Sequence, residues 1–394
     1  MNKSATNRVL SIDIMRGLTL FLMLFVNDLY EPAVPAWLLH SAAEEDRMGL
    51  ADWVFPGFLF MVGVAIPYAI QARKNKSEGQ LQIIRHIFIR SLSLMAIGVL
   101  ILNGSRVQAE LTGMPSLLWL GILYICIFLI WNLYPADSKY EPLFRLLKAL
   151  GLLGILYLLF IFKADEGAWI EIGWWGILGL IGWGYLISAL IYTAIGNRIA
   201  LAALIWLFFI GLNILSALQL TAYFDFAKPL FSVLLSGNVP SIVLSGLCIG
   251  MLIKQYASQP QRLLSYMLCI GIVSLVFGFI LRNWFILSKI YGTPSWAMVC
   301  NGISILVLAL IYFVVDIKRY LKWAFPFQLA GKNSLTTYLA PDIIYFIIWG
   351  FSLPILLYKD ATQSWIVILG SLVWALLMIA FSNLLLKINI RLKL

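Results

Sequence analysis

Residues 51–70 read ADWVFPGFLFMVGVAIPYAI, with one charge, Asp52, near the start and none after it. A helix needs about 20 predominantly apolar residues to cross the hydrocarbon core of a bilayer, and this stretch supplies them. The same pattern recurs on both sides of it. Apolar runs bounded by charges and by Gly or Pro fall near 14–30, 51–71, 84–103, 116–134, 146–162, 174–194, 198–219, 239–254, 264–285, 297–315, 334–352 and 364–386. The spacing predicts an all-α, polytopic integral membrane helix bundle of about 11–12 transmembrane helices, organised as one domain over 1–394.

Composition agrees. Of 394 residues, 62% are apolar and 12% charged, against roughly 45–50% and roughly 25% in soluble globular chains. A soluble protein is excluded, and little length remains for a separate soluble domain. The mean hydropathy of +0.93 argues against a membrane β-barrel, whose strands alternate polar and apolar residues. Cys126, Cys248, Cys269 and Cys300 all lie inside apolar runs without CxxC or Cys/His spacing, so neither a disulfide frame nor a metal site is signalled. The first apolar run, from Leu18, follows Asp13 and Arg16 and has no small-residue cleavage site, so it reads as a retained helix rather than a signal peptide.

In a soluble chain the net charge of +10 would suggest nucleic acid. In a membrane chain the distribution of Lys and Arg among loops matters instead, and no nucleic-acid partner is expected. With the N-terminus in the cytoplasm, Arg47, Arg106, Lys163, Lys228, Arg282, Lys289 and Lys359 fall outside, and the remaining 21 of the 28 Lys and Arg, Lys3 and Arg8 among them, fall inside. This is the asymmetry of the positive-inside rule. It predicts a multi-pass cell-membrane protein with both termini cytoplasmic.

Ionisable groups at membrane depth cost a few kcal/mol each by insertion scales, so those that persist point to function. Four regions stand out. In SIDIMRGLTLFLMLFVND, Asp13 and Arg16 share a helical face at the inner end, and Asn27 lies about 16 Å further along the same helix. In WLLHSAAEEDRMGLADWVFPGFLFMVG, His40, Glu44, Glu45, Asp46 and Asp52 form the densest titratable cluster of the chain, with one of its two histidines. A histidine with neighbouring carboxylates suits a general base, because a carboxylate orients the ring and favours the imidazolium formed on proton transfer. A solvated acidic loop accounts for the cluster about as well, and N-capping of the following helix accounts for Asp52. In LRNWFILSKIYGTPSWAM, Arg282 and Lys289 are cations on the sparsely charged side, which favours a role in holding an anionic group. In VVDIKRYLKWAFPFQLAGKNSLTTYLAPD, a basic loop leads into a helix start at Asn333 and Ser334, where backbone N–H groups with Lys318 and Lys332 nearby suit phosphates; positive-inside anchoring accounts for the same cations. His86, between Arg85 and Arg90, reads as a headgroup-level residue of the inner face.

The ordered set D-x-x-R-G (Asp13 to Gly17), V-N (Val26 to Asn27), His40, A-D-x-V-F-P-x-F-L-F-x-x-G (Ala51 to Gly63), S-K-x-x-x-T-P-S-W (Ser288 to Trp296), V-V-D-x-K (Val314 to Lys318) and G-x-N-S (Gly331 to Ser334) resembles the transmembrane acetyltransferase family of heparan-α-glucosaminide N-acetyltransferase and its bacterial relatives. The matches lie at both ends of the chain, and 135–235 carries none. The resemblance implies a membrane enzyme that takes an acetyl group from cytoplasmic acetyl-CoA, as co-substrate, and delivers it to an amino sugar on the far side of the bilayer. It carries the family's Asn and His pair onto Asn27 and His40. Asp52, Glu45 or Asp46 would orient the imidazole or bind a sugar hydroxyl. Donor phosphates would meet Lys318 and Lys332 with Asn333 and Ser334, and Arg16 and Lys289 are the next candidates. Here SAAEEDRMGL intervenes where many relatives have a shorter interval with a Trp in it. A transporter or flippase of an envelope glycan or lipid precursor is the alternative from another class, and oligomeric state, a homodimer included, stays open.

Overall fold

The computed structural model describes residues 9–135 and 138–394; Lys3 and Arg8 lie outside the described residues. Twelve principal helices follow one another: α1 (Leu10–Asp28), α2 (Leu50–Lys74), α3 (Gln80–Gly104), α4 (Ser116–Trp131), α5 (Glu141–Ile161), α6 (Gly176–Ile195), α7 (Ile199–Ala217), α8 (Asn238–Gln255), α9 (Pro260–Leu281), α10 (Pro294–Tyr312), α11 (Ser334–Gly350) and α12 (Ser364–Lys387). Among the described residues, ten helices are long and apolar enough to cross a bilayer; α4 and α11, with 16 and 17 residues, are shorter. The chain is a polytopic helical membrane protein. The tight connection before α7 is made by Gly196, whose φ of +64° only glycine adopts readily.

Without a hydrophobic drive between helices in lipid, bundle interiors rely on small residues that let backbones approach. Here α2 is the central helix, 78% buried over its apolar window, whereas α5 is 17% buried and presents most of its surface to lipid. α2 packs on α8 through Gly63 and Gly246, where an added Cβ would lie 1.9 Å from the Val243 and Phe60 carbonyl oxygens. A similar approach holds the short helix Phe325–Lys332 against α1: a Cβ on Gly17 would lie 1.7 Å from the Phe327 oxygen. The N-terminal N–H groups of α1 are capped from afar. Asp316, in a π-helical turn after α10, accepts from Leu10 N at 3.2 Å and Ser11 N at 3.1 Å, which satisfies two donors that a helix start leaves open.

Contacts between connections divide them into two groups, one at each end of the bundle. At one end, Arg282 meets Asp46, Lys359 meets Asp28, Arg106 meets Glu171 and Asn213 donates to Gly292 O. At the other, Lys254 donates to Gln71, Arg16 to Gly331 O and Arg391 N to Asn132. Among the described residues, successive helices thus run alternately from one end of the bundle to the other.

Candidate active site

At the first end, Asp52 stands in the first turn of α2 and is 1% exposed. Its two oxygens do different things. Oδ2 accepts from Gly49 N and Ser41 N, each at 3.0 Å, closing the loop onto the helix start. Oδ1 lies 2.7 Å from His40 Nδ1. The loop can fold this tightly because Gly49 presses on the Leu39 carbonyl, where a Cβ would lie 2.0 Å from the oxygen. A carboxylate only accepts, so a neutral His40 carries its proton on Nδ1 and leaves the Nε2 lone pair free. The imidazole is 43% exposed, open to a reacting partner.

Lys289 completes the group. It comes from the α9–α10 connection, and its Nζ lies 3.2 Å from Nδ1 and 3.4 Å from Nε2 of His40. Burial pushes the Lys289 ammonium below the ordinary lysine range, against an opposing pull from Asp52. The remaining carboxylates of the cluster hold the two loops together. Burial works to raise Asp46, but the Leu287 N–H at 2.8 Å and the Arg282 guanidinium outweigh it and hold the carboxyl below its usual range. Ser288 Oγ donates to Ala43 O at 2.7 Å, and Tyr291 OH to Glu44 at 3.1 Å. Glu45 is bonded to Arg47 at 2.8 Å within its own loop. Of the three carboxylates expected to serve the histidine, Asp52 is the one bonded to it.

Asn27 ends α1 on the same face, exposed, with no hydrogen bond to His40 among the described residues. Its neighbour Asp28 is fully buried and accepts from Tyr345 OH, from Tyr358 OH at 2.6 Å and from Lys359 Nζ at 2.8 Å. This cluster, which joins α1 to α11 and the connection after it, was not anticipated; the signal was a second acidic residue at the end of an apolar run.

At the opposite end a cavity of about 400 Å³ opens between α1, α2, α3, α6, α11 and the C-terminal segment. Arg16, Lys332, Asn333 and Ser334 line it, as do Arg73, Lys76, His86, Arg90, Arg391 and Lys393. Sequence reading gave no functional role to this second set. The cations come from five separate stretches, and only the fold brings them together. Arg90 Nε and Asn333 Oδ1 are buried beside the cavity without a partner among the described residues. Lys318 lies apart, exposed, over the Phe313 ring, and Lys289 lies at the other end of the bundle.

Residues 8–173 match the family model for heparan-alpha-glucosaminide N-acetyltransferase, catalytic. The chain is 25% identical over 370 residues to the heparan-alpha-glucosaminide N-acetyltransferase of Mus musculus, covering 87% of this chain and 54% of that protein. It is 32% identical over 96 residues to the Homo sapiens protein of the same name, 24% of this chain and 14% of that one. The chain thus spans about half the length of the mouse relative. The matched segment contains Asn27, His40 and Asp52 at one end of the bundle together with Arg73, His86 and Arg90 of the basic cavity, and over that segment the chain is similar to the family that this catalytic model describes.

Proposed function

We propose that the protein is a membrane-embedded acetyltransferase that takes acetyl from acetyl-CoA at the cytoplasmic face and delivers it to an amino sugar on the far side of a cell membrane, with both termini cytoplasmic. The observation that carries this reading is the pairing of a polarised imidazole at one end of α2 with a cation-rich cavity at the other. The cavity supplies charge-assisted donors for phosphates. Its lining follows α2 from Arg73 to Phe58, about 22 Å of helix, and Asp52 lies about 9 Å beyond. On α1 the lining reaches Met23, and Asn27 is about 6 Å further. A slender thioester arm anchored by its phosphates in the cavity would therefore run toward His40.

Amine acylation needs a deprotonated acceptor, a base and donors for the tetrahedral oxyanion. His40 Nε2 takes the proton of the attacking amine; Asp52 holds the ring in that tautomer and stabilises the imidazolium. Asn27 donates to the acyl oxygen. As the carbon–sulfur bond breaks, the imidazolium returns its proton to the thiolate. Arg282 and Asp46 keep the two loops closed around this centre.

The test is transfer itself. Protein reconstituted in vesicles with its cavity face outward should acetylate glucosamine enclosed in the lumen when acetyl-CoA is added outside. Movement of an unmodified glycan or lipid, with no donor consumed, would support the transporter reading instead.

A further inference from the structure

Lys289 places an amine against the same ring that an acceptor amine has to reach. Lys289 Nζ is 3.2 Å from Nδ1 and 3.4 Å from Nε2, against the ring between its two nitrogens, and a rotation of the lysine side chain brings it to the Nε2 lone pair that a base presents to an amine. The position is built rather than incidental. Ser288 is buried and tied to Ala43 O, Leu287 N is bonded to Asp46, and Thr293 N closes the turn onto Ser288 O at 3.1 Å. A flexible four-carbon side chain is thus held at its root, directed at the imidazole.

We infer that Lys289 is an internal acetyl acceptor, a self-modification site that the protein uses when donor is present and the external amine is absent. This rests on the acetyltransferase reading above. The Nζ lone pair attacks the carbonyl carbon of the acetyl thioester, His40 takes the Nζ proton, the carbon–sulfur bond breaks, and the proton passes to the departing thiolate. The products are an amide on Lys289 and free thiol. Burial makes the neutral amine available at a lower pH than at a solvated lysine. The groups facing it are His40 from the loop, Asp52 from α2 and Cys300 from α10. The amide has no positive charge and adds bulk against the His40 ring, so it obstructs the approach of the external amine.

The experiment incubates purified protein with acetyl-CoA alone and follows lysine acetylation by peptide mass spectrometry. Lys289 should acquire acetyl at least about tenfold faster than exposed lysines such as Lys228, as expected of a pre-positioned amine. Added glucosamine should suppress it in the unmutated protein, and H40A that still binds donor should lose it. Preincubation with donor should lower the subsequent transfer rate, and K289R should lose this decline relative to its own starting rate. A protein that acetylates glucosamine but leaves Lys289 free, or modifies it no faster than Lys228, overturns the inference and leaves the transferase reading standing. A protein that consumes no donor under any condition overturns both.

Discussion

Lys359 places its ammonium 2.8 Å from the carboxylate of Asp28, a residue with no exposed surface, and so fastens the end of the first helix to the connection between the last two. Tyr358 OH donates to the same carboxylate, Tyr345 OH to its other oxygen, and the Lys359 ammonium also lies 5.2 Å from the centre of the Tyr345 ring. Asn27 is the preceding residue, so whatever fixes Asp28 also fixes the backbone from which Asn27 projects.

Removing that carboxylate leaves three donors without their acceptor. Asp28→Ala should destabilise the protein by about 3 kcal/mol, the usual cost of breaking a buried charge pair, seen as a lower unfolding temperature in detergent. Lys359→Ala, which removes the more solvated partner, should cost less. Equal melting of Asp28→Ala and the unmutated protein would show that α1 is held by other contacts.

The Asp46–Arg282 clamp carries a pH signature. Asp46 is held below the ordinary carboxyl range in the folded protein, so its contribution is present above the unfolded value, about 3.9, and is lost as pH falls through the lower folded value. Loop closure should therefore persist through mild acid and fail only below the usual aspartate range. Arg282→Gln should open the loop at neutral pH, lowering kcat through a displaced His40 while leaving donor affinity within about twofold, since the donor cavity is at the other end of the bundle. A loss of donor affinity with kcat unchanged would contradict this.

How much of this was legible in the chain follows from where each partner lies. Apolar length outlines the bundle, because it is a local property that lipid imposes on each segment separately. Asp52 could be read as a helix cap, and it does accept from Gly49; that its other oxygen turns to His40 depends on a loop folded back at Gly49, which spacing alone does not reveal. Lys289 and Arg282 stood out as cations on the sparsely charged side, but their partners are His40 and Asp46, far away in sequence. The cavity was least legible. Arg73, Arg90 and Arg391 each look like ordinary inner-face anchors, whereas Lys318, which sits in the most basic loop, does not line the cavity.

That difference yields a direct comparison. Arg90→Gln should weaken acetyl-CoA binding by about tenfold or more, the worth of a charge-assisted hydrogen bond, and the loss should shrink as salt rises. Lys318→Gln should leave affinity unchanged. The reverse ranking, measured by isothermal titration at two ionic strengths, would move the donor out of the cavity.

Sidedness can be read without any substrate. Ala42 and Ser77 are both exposed, in connections at opposite ends of the bundle. In intact cells a membrane-impermeant thiol reagent should label Ala42→Cys and reach Ser77→Cys only after the membrane is opened. Labelling of Ser77→Cys from outside would invert the orientation and put the donor cavity on the wrong side for cytoplasmic acetyl-CoA.

The sharpest prediction separates the two members of the imidazole pair. His40→Ala should keep donor binding and lose transfer by at least about 10²-fold, the contribution of a positioned base. Asp52→Asn keeps the shape of the side chain and can still accept on one atom, but its amide can also donate. The ring can then take the other tautomer, with its proton on Nε2 facing the substrate instead of a lone pair. Transfer should fall by a similar factor although His40 remains. Because the Gly49 and Ser41 N–H groups also need Oδ2, Asp52→Ala should in addition lower the unfolding temperature, which His40→Ala should not. If Asp52→Asn retains full transfer, His40 does not depend on that carboxylate for its tautomer, and the base must be oriented by another group, with Lys289 the nearest.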